Sequence, residues 1–236
     1  MGRSILIVES KNDKYFFQSV IKHLNYDIEI ESPIFADEDY RPMGGLDPTK
    51  LTQALKSIKA EIQKEDIERI GIIIDIDRDS EIDRIKFIND CIAKAFPDAV
   101  LIGRINQFID LNFEDYHIQL ACHFTNVDGQ GELETVLKAI KSQDSTHADC
   151  LDRWRECLTS NDKKITDKSF DKLWIANYIR YDTSTKDEKK DAANKLTLNY
   201  ALENKPSIWN LDHPILVELK VFFKLFNDSY QENTKA

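Results

Sequence analysis

Short apolar runs alternate with helical patterns over the first 142 residues of the chain. Residues 4–8 and 70–74 are continuous apolar runs, which is typical of strands that are buried on both faces. Shorter or alternating patterns predict three more strands, at residues 27–31, 99–102 and 116–124. Helical spacing predicts helices at residues 13–24, 48–62, 80–95 and 132–141. Strands that alternate with helices predict an α/β fold, with a mostly parallel sheet and helices on both faces.

Helical patterns dominate after about residue 145, at residues 147–158, 168–180, 187–203 and 213–227. The last of these is apolar on most sides, so it needs cover from the rest of the fold or from a partner. No linker rich in proline, glycine or serine separates the two halves of the chain. The pattern therefore predicts an α/β core at residues 1–142 and a helical C-terminal extension at residues 143–236 that packs on this core.

The composition is that of a globular protein, with 42% hydrophobic and 31% charged residues among 236. A net charge of −10 argues against a surface that binds duplex DNA non-specifically, although metal-binding carboxylates would themselves contribute negative charge. The four cysteines form no Cys-x-x-Cys pair, so we expect neither a zinc framework nor a disulfide scaffold. The chain starts directly on an apolar run and contains no stretch as long as a membrane span. We therefore expect a cytoplasmic protein without a signal peptide or a membrane partner.

Acidic residues follow the two most apolar predicted strands. Glu9 closes the first strand and Asp13 lies four residues later, while Asp75 and Asp77 close the strand at residues 70–74. In open α/β sheets, ligands bind outside the carboxyl ends of the strands. Acids gathered there would repel one another and have raised pKa values, and a hard divalent cation relieves this conflict because it binds carboxylate oxygens. We expect Asp79, further along, to be the N-cap of the next helix.

The acidic motifs resemble those of the Toprim domain. Its first motif has a strand-end Glu followed by Asp four residues later, as in residues 8–13, and its Asp-x-Asp motif is similar to residues 72–77. The chain is most similar to small stand-alone Toprim-like proteins related to OLD-type nucleases. Three further motifs of that group have counterparts here: the Gly-x-Leu-Glu motif at residues 131–134, the glycine pair Gly44-Gly45, and the Trp/Tyr-x-x-Asp-x-Pro element at residues 209–214. The group usually has glycine where this chain has Ser10.

The resemblance implies a Toprim-like, Rossmann-like fold and a Mg²⁺-dependent nuclease or phosphodiesterase. It implies catalytic roles for Glu9 and Asp13, and Mg²⁺ or Mn²⁺ ligands at Glu9, Asp75, Asp77 and Glu134. Glu132 and Glu134 are two residues apart and would point in different directions on a helix, and we select Glu134. The implied partners are nucleic acid, either DNA or RNA, and an ATPase such as the one in OLD-like systems.

Two other functions are compatible with the same residues. The fold could be a non-catalytic binding or regulatory module, which need not bind a divalent cation at all. An Asp-x-Asp phosphohydrolase would use Asp75 as nucleophile and Asp77 as acid. The second alternative is disfavoured because such motifs normally follow the first strand, and here a strand ending in Glu9 comes first.

Overall fold

A five-stranded sheet forms the centre of the fold in the computed structural model, which describes residues 3–26, 28–30, 47–62, 64, 66–191 and 193–227. The strands are β1 (Arg3–Val8), β2 (Glu29–Ile30), β3 (Ile67–Asp75), β4 (Ile109–Phe113) and β5 (Tyr116–Thr125). Their order is β2-β1-β3-β5-β4, and all neighbours are parallel except β4 and β5. The predicted α/β class with a mostly parallel sheet is therefore confirmed.

The prediction of a strand at residues 99–102 is wrong. These residues, all of which the structure describes, form no strand, although Ile102 is buried. The Ile102 N–H donates to Asn89 Oδ1 at 2.8 Å, and Asn89 Nδ2 donates to the Ile102 carbonyl oxygen at 2.9 Å. A side-chain amide thus satisfies both backbone groups that a neighbouring strand would otherwise satisfy.

The sheet instead contains the edge strand β4, which the hydrophobic pattern of the sequence did not predict. It pairs antiparallel with β5 through a tight hairpin in which Phe113 is opposite Tyr116. At the other edge of the sheet, β2 falls within the strand predicted at 27–31 and pairs with β1. The glycine pair Gly44-Gly45 lies outside the described residues.

Helices cover both faces of the sheet, as predicted. The helices of the first 142 residues are α1 (Lys11–Leu24), α2 (Pro48–Ile62), α3 (Glu81–Ala95) and α4 (Leu133–Ala139). Because successive strand residues point to opposite faces, Ile5 and Ile72 pack with α2 and α3, whereas Leu6 and Ile73 pack with α1 and α4. The helices that follow residue 142 also pack on the face that carries Leu6 and Ile73.

Those later helices are shorter than the sequence patterns predict. They are α5 (Thr146–Asp149), α6 (Leu151–Ser160), α7 (Asp167–Asn177), α8 (Lys186–Asp191), α9 (Leu198–Asn204) and α10 (Val217–Lys224), with a π-helix at Tyr178–Asp182 and 3₁₀ turns at Ala193–Leu196, Pro206–Ile208 and Pro214–Leu216. The helix predicted at residues 187–203, for example, is interrupted at Thr197. The side chain of this residue accepts the Tyr200 N–H and so caps the start of a new helix, α9. None of the helices within the described ranges is long and apolar enough to cross a membrane.

The helix α10 packs directly on the central strand β3 at a glycine. A Cβ on Gly71 would lie 2.3 Å from Leu6 Cδ2, 2.9 Å from Phe226 Cζ and 3.0 Å from Phe222 Cζ. At the same place Arg69 Nη1 donates to the Phe226 carbonyl oxygen at 3.4 Å. One hydrophobic cluster therefore contains residues from both sides of residue 142, and a domain boundary at that residue stays a prediction.

Candidate metal centre

The carboxyl ends of β1 and β3 place two acidic residues side by side. The strands are parallel neighbours, with Val8 opposite Ile73. Glu9 and Asp75, one and two residues further on, therefore come to the same edge of the sheet. The backbone N–H of Asp75 donates to Glu9 Oε2 at 3.1 Å. This hydrogen bond fixes the orientation of the Glu9 carboxylate relative to the strand that carries Asp75.

Asp13 lies in the first turn of α1, where Ser10 holds it. Ser10 is the N-cap of α1, and its Oγ accepts the Asp13 N–H at 3.3 Å. The same hydroxyl donates to Asp13 Oδ2 at 2.5 Å, and the Asp13 residue is only 4% exposed. Ser10 therefore both starts the helix and orients the buried Asp13 carboxylate.

A pair of backbone hydrogen bonds joins the loop after β3 to the start of α4. The Asp77 N–H donates to the Gly131 carbonyl oxygen at 2.9 Å, and the Gly131 N–H donates to the Asp77 carbonyl oxygen at 2.8 Å. Asp77 has a left-handed backbone with φ of 52°, and Gly131 has φ of 95°. A Cβ on Gly131 would lie 2.7 Å from Thr135 Oγ1. This close pairing places Glu132, the next residue, beside Asp77.

Three carboxylates meet at this point, and one of them was not selected from the sequence. Oxygens of Asp75, Asp77 and Glu132 lie within 4.8 Å of one another. Glu132 is the N-cap of α4 with an extended backbone, so the helical geometry that favoured Glu134 does not apply to it. The position of Glu132 directly before the helix was the signal that could have identified it.

Two oxygens in the cluster are buried and unsatisfied. Asp75 Oδ1 and Glu132 Oε1 have no hydrogen-bond partner within the part of the chain that the structure describes. The two residues are 8% and 3% exposed, respectively. A buried acceptor without a donor costs free energy, so these oxygens are suited to bind a positively charged or hydrogen-bond-donating ligand.

Four carboxyl groups at this edge of the sheet have raised pKa values. Burial, followed by the charge of Glu9, raises the pKa of Asp13 to about 7 and that of Asp75 well above its usual value. Glu134, which is also buried, adds to both shifts through its charge. Burial also raises the pKa of Glu9, and it raises that of Glu132 to about 7 against an opposing hydrogen bond from Lys168. The acids therefore repel one another in a poorly hydrated site.

Three basic side chains reach the acidic cluster, and sequence spacing revealed none of them. Arg84 Nη2 lies 2.8 Å from Asp77 Oδ2, and its Nε donates to the carbonyl oxygen of Ile76 at 3.1 Å. Lys168 contacts Asp77 from the other side, with its Nζ 3.3 Å from Asp77 Oδ1. The third is Lys172, whose Nζ lies 3.9 Å from a carboxylate oxygen of Glu134.

Asp79 is not the N-cap of α3, contrary to our expectation. Ser80 takes this position, and its Oγ accepts the Asp83 N–H at 3.2 Å. Asp79 instead lies 3.4 Å from Arg84 Nε and is half exposed. It is therefore an acid of the same loop that stays outside the buried cluster.

The residues present fit a hard divalent cation. All the candidate donors are carboxylate oxygens, which Mg²⁺ and Mn²⁺ prefer, and two of them have no hydrogen-bond partner in the described part of the chain. The structure brings Asp75, Asp77 and Glu132 within ligand distance of one another, whereas Glu9, Asp13 and Glu134 lie close enough for their charges to affect the pKa values of this cluster. Their individual roles as ligands or catalytic groups stay predictions.

The metal-free protein should lose stability through this cluster as the pH rises from about 4 to about 7. Asp13 has a pKa of about 7 in the fold and an ordinary pKa near 4 in the unfolded chain, so the folded state binds more protons in this range. Its stabilising contribution is complete below about pH 4 and is lost as the pH rises through 7. A divalent cation replaces the protons, so the rise in Tm that Mn²⁺ produces should grow with pH.

Differential scanning fluorimetry between about pH 5 and about pH 8, with and without Mn²⁺, measures both effects. Asp13→Asn is the comparison variant, because it removes one of the titrating groups and should make the pH dependence less steep. The comparison with this variant is needed since burial lowers the pKa of His123 to about 3, which destabilises the fold below about pH 6.5 and gives the opposite slope. Equal Mn²⁺ effects at both ends of the range would contradict the prediction.

Comparisons with known proteins place the chain in a family. No curated protein and no solved structure matches it. A family profile matches residues 3–228, a range that includes every carboxylate of the candidate site and all helices from α1 to α10. The chain belongs to the family described as protein of unknown function DUF3226.

Proposed function

We propose that this protein is a Mg²⁺- or Mn²⁺-dependent phosphodiesterase that acts on nucleic acid and has a Toprim-like core. The observation that carries the proposal is the buried carboxylate cluster with two unsatisfied oxygens, on Asp75 and Glu132. The two motifs that resemble Toprim motifs, at Glu9 and at Asp75-x-Asp77, lie at adjacent strand ends, and this supports the resemblance.

The chain's own residues divide into those that bind the cation and those that handle protons. Asp75, Asp77 and Glu132 would hold Mg²⁺ or Mn²⁺, with Glu134 as a further candidate ligand. When bound, the cation supplies Lewis-acid polarisation of the scissile phosphate. Arg84 holds Asp77 by an ion pair and a neighbouring backbone contact, so that carboxylate is oriented before the cation binds.

Glu9 is the residue that we assign to proton transfer. Its Oε2 accepts the Asp75 N–H, which leaves Oε1 to take a proton from the attacking water. Burial raises the pKa of this carboxyl above its usual value, which makes it a stronger base. Asp13 lies close enough to Glu9 for the charge of Glu9 to raise its pKa, and Asp13 would take part in the proton transfer.

The structure disfavours the phosphohydrolase alternative. That reaction needs Asp77 as a proton donor and Asp75 as an ionised nucleophile. Arg84 and Lys168 contact both oxygens of Asp77, so neither oxygen is free to carry the proton that this reaction would require. Burial and the charge of Glu9 raise the pKa of Asp75, so without a cation it is a poor nucleophile.

The partners in this proposal are nucleic acid, as DNA or RNA, and an ATPase as in the resembling OLD-like systems. The net charge of −10 supports the need for a partner, since a strongly acidic protein has little long-range attraction for a phosphate backbone. A partner could supply the binding surface while this chain supplies the cleavage site.

Glu9→Gln should separate cleavage from metal binding. We expect the wild type to bind Mn²⁺ in calorimetry and to cleave plasmid DNA, single-stranded DNA or structured RNA. The variant should lose roughly 100-fold or more of its cleavage rate, the typical contribution of a general base, and keep most of its Mn²⁺ affinity. Glu68→Gln is the matched control, because Glu68 is exposed near the opposite end of β3.

The same measurements can exclude the proposed function. Wild type that binds no divalent cation at about millimolar concentration, a level at which weak oxygen-ligand sites are still filled, would support the binding-module alternative. A cleavage rate that Glu9→Gln leaves intact would remove Glu9 from the mechanism.

A further inference from the structure

Lys168 reaches the carboxylate cluster from a helix of the C-terminal half. It is the second residue of α7, which Thr166 caps, and it lies 91 residues after Asp77 in sequence. Its Nζ is 2.5 Å from Glu132 Oε2 and 3.3 Å from Asp77 Oδ1. The ammonium thus lies between two of the three carboxylates that form the candidate metal site.

This ammonium is an incomplete substitute for a divalent cation. It neutralises a single charge, and Glu132 Oε1 and Asp75 Oδ1 still have no hydrogen-bond partner among the residues that the structure describes. A cation held by Asp75, Asp77 and Glu132 would lie next to the ammonium and repel it, so cation binding weakens the contacts of Lys168 with Asp77 and Glu132. Partial burial lowers the pKa of Lys168, but the hydrogen bond to Glu132 and the charges of Glu132, Asp77 and Asp75 together raise it more, so the ammonium is charged where it lies between the carboxylates.

Lys168 has room to leave the carboxylates. Its side chain is 52% exposed, and its four-carbon stem is flexible, so the charged end can turn outward without any change in α7. Lys172 lies four residues later on the same face of the helix and is equally exposed. Two ammonium groups on one helix face would then border the opening of the acidic site.

We propose that Lys168 is a phosphate-binding residue, and that its ammonium stays bound to Asp77 and Glu132 until a divalent cation displaces it. Released, its ammonium contacts a phosphodiester oxygen of the nucleic acid at the site. This inference rests on the proposed function and adds an order of binding, in which the cation precedes the substrate. It also assigns the C-terminal half a direct contact with the substrate.

Lys168→Met tests the proposal by two binding measurements that do not depend on cleavage. Calorimetry should show Mn²⁺ binding roughly tenfold tighter than in the wild type, because the competing charged hydrogen bond is gone. Fluorescence anisotropy with short single-stranded DNA and RNA oligonucleotides, in a Glu9→Gln background that keeps them intact, reports substrate affinity. Mn²⁺ should raise this affinity when Lys168 is present, and the rise should be roughly tenfold smaller in Lys168→Met.

Lys164→Met is the matched control, since it removes the same charge from an exposed residue in the loop before α7. It should leave both measurements unchanged. The proposal is overturned if Lys168→Met binds Mn²⁺ no more tightly than the wild type, or if its gain in oligonucleotide affinity with Mn²⁺ equals that of the Lys168 protein. Wild type that binds no divalent cation would overturn the proposed function, and this inference with it.

Discussion

Asp75→Asn should abolish cleavage of nucleic acid and weaken Mn²⁺ binding by roughly 100-fold or more. Loss of a residue that merely supports a metal ligand typically costs about 10- to 100-fold, and Asp75 is itself a candidate ligand. The metal-free variant should melt at a higher temperature than the wild type, because the substitution removes one charge from a cluster of buried, mutually repelling acids. Calorimetry with Mn²⁺, a cleavage assay and thermal melting measure the three effects.

The control for this substitution is Asp79→Asn, in the same loop. Asp79 is half exposed and has Arg84 as its ion-pair partner, so its removal should change Mn²⁺ affinity by less than about twofold. A metal affinity that is equal in Asp75→Asn and the wild type would exclude Asp75 as a ligand. Such a result, together with unchanged thermal stability, would also remove the physical basis for the candidate site.

Gly71→Ala should destabilise the fold by about 3 kcal/mol, the upper end of what overpacking a core usually costs. The added Cβ would lie 2.3 Å from Leu6 Cδ2 and within 3.0 Å of two phenylalanine rings, Phe222 and Phe226. All three neighbouring side chains are at most 1% exposed. None of them can therefore move aside without a loss of core packing. Urea denaturation followed by circular dichroism gives the free energy of unfolding of the variant and the wild type.

Gly103→Ala is the matched control for the glycine in the sheet. No atom lies within 4 Å of a Cβ built on Gly103, and its backbone does not need glycine. We expect a change within about 0.5 kcal/mol, as for other surface substitutions. If Gly71→Ala were equally harmless, α10 would not pack against β3 as closely as described.

The strands that carry the site could be predicted because their signal is local. The apolar runs that end at Glu9 and Asp75 are buried on both faces, and parallel neighbours bring their carboxyl ends together. The strand predicted at residues 99–102 failed because an apolar run has the same pattern whether its backbone bonds to a strand or to the side chain of Asn89.

The remaining parts of the site depend on contacts that spacing does not encode. Glu132 joins the cluster because the backbone of Gly131 pairs with Asp77, and this pairing lies outside both the helix and the sheet. Lys168 arrives from a helix 91 residues after its partner Asp77. A pattern of single residues can suggest which acids gather at a sheet edge, but not which cations a distant helix brings to them.

The contact between β3 and α10 has a consequence for synthesis of the chain. Phe226 accepts its hydrogen bond from Arg69, which precedes it by 157 positions. At a synthesis rate of about 5–20 residues per second, the face of β3 that α10 covers stays bare for roughly 8 to 30 s after β3 has been made. During that time, the nascent chain presents an apolar surface that a chaperone would have to shield.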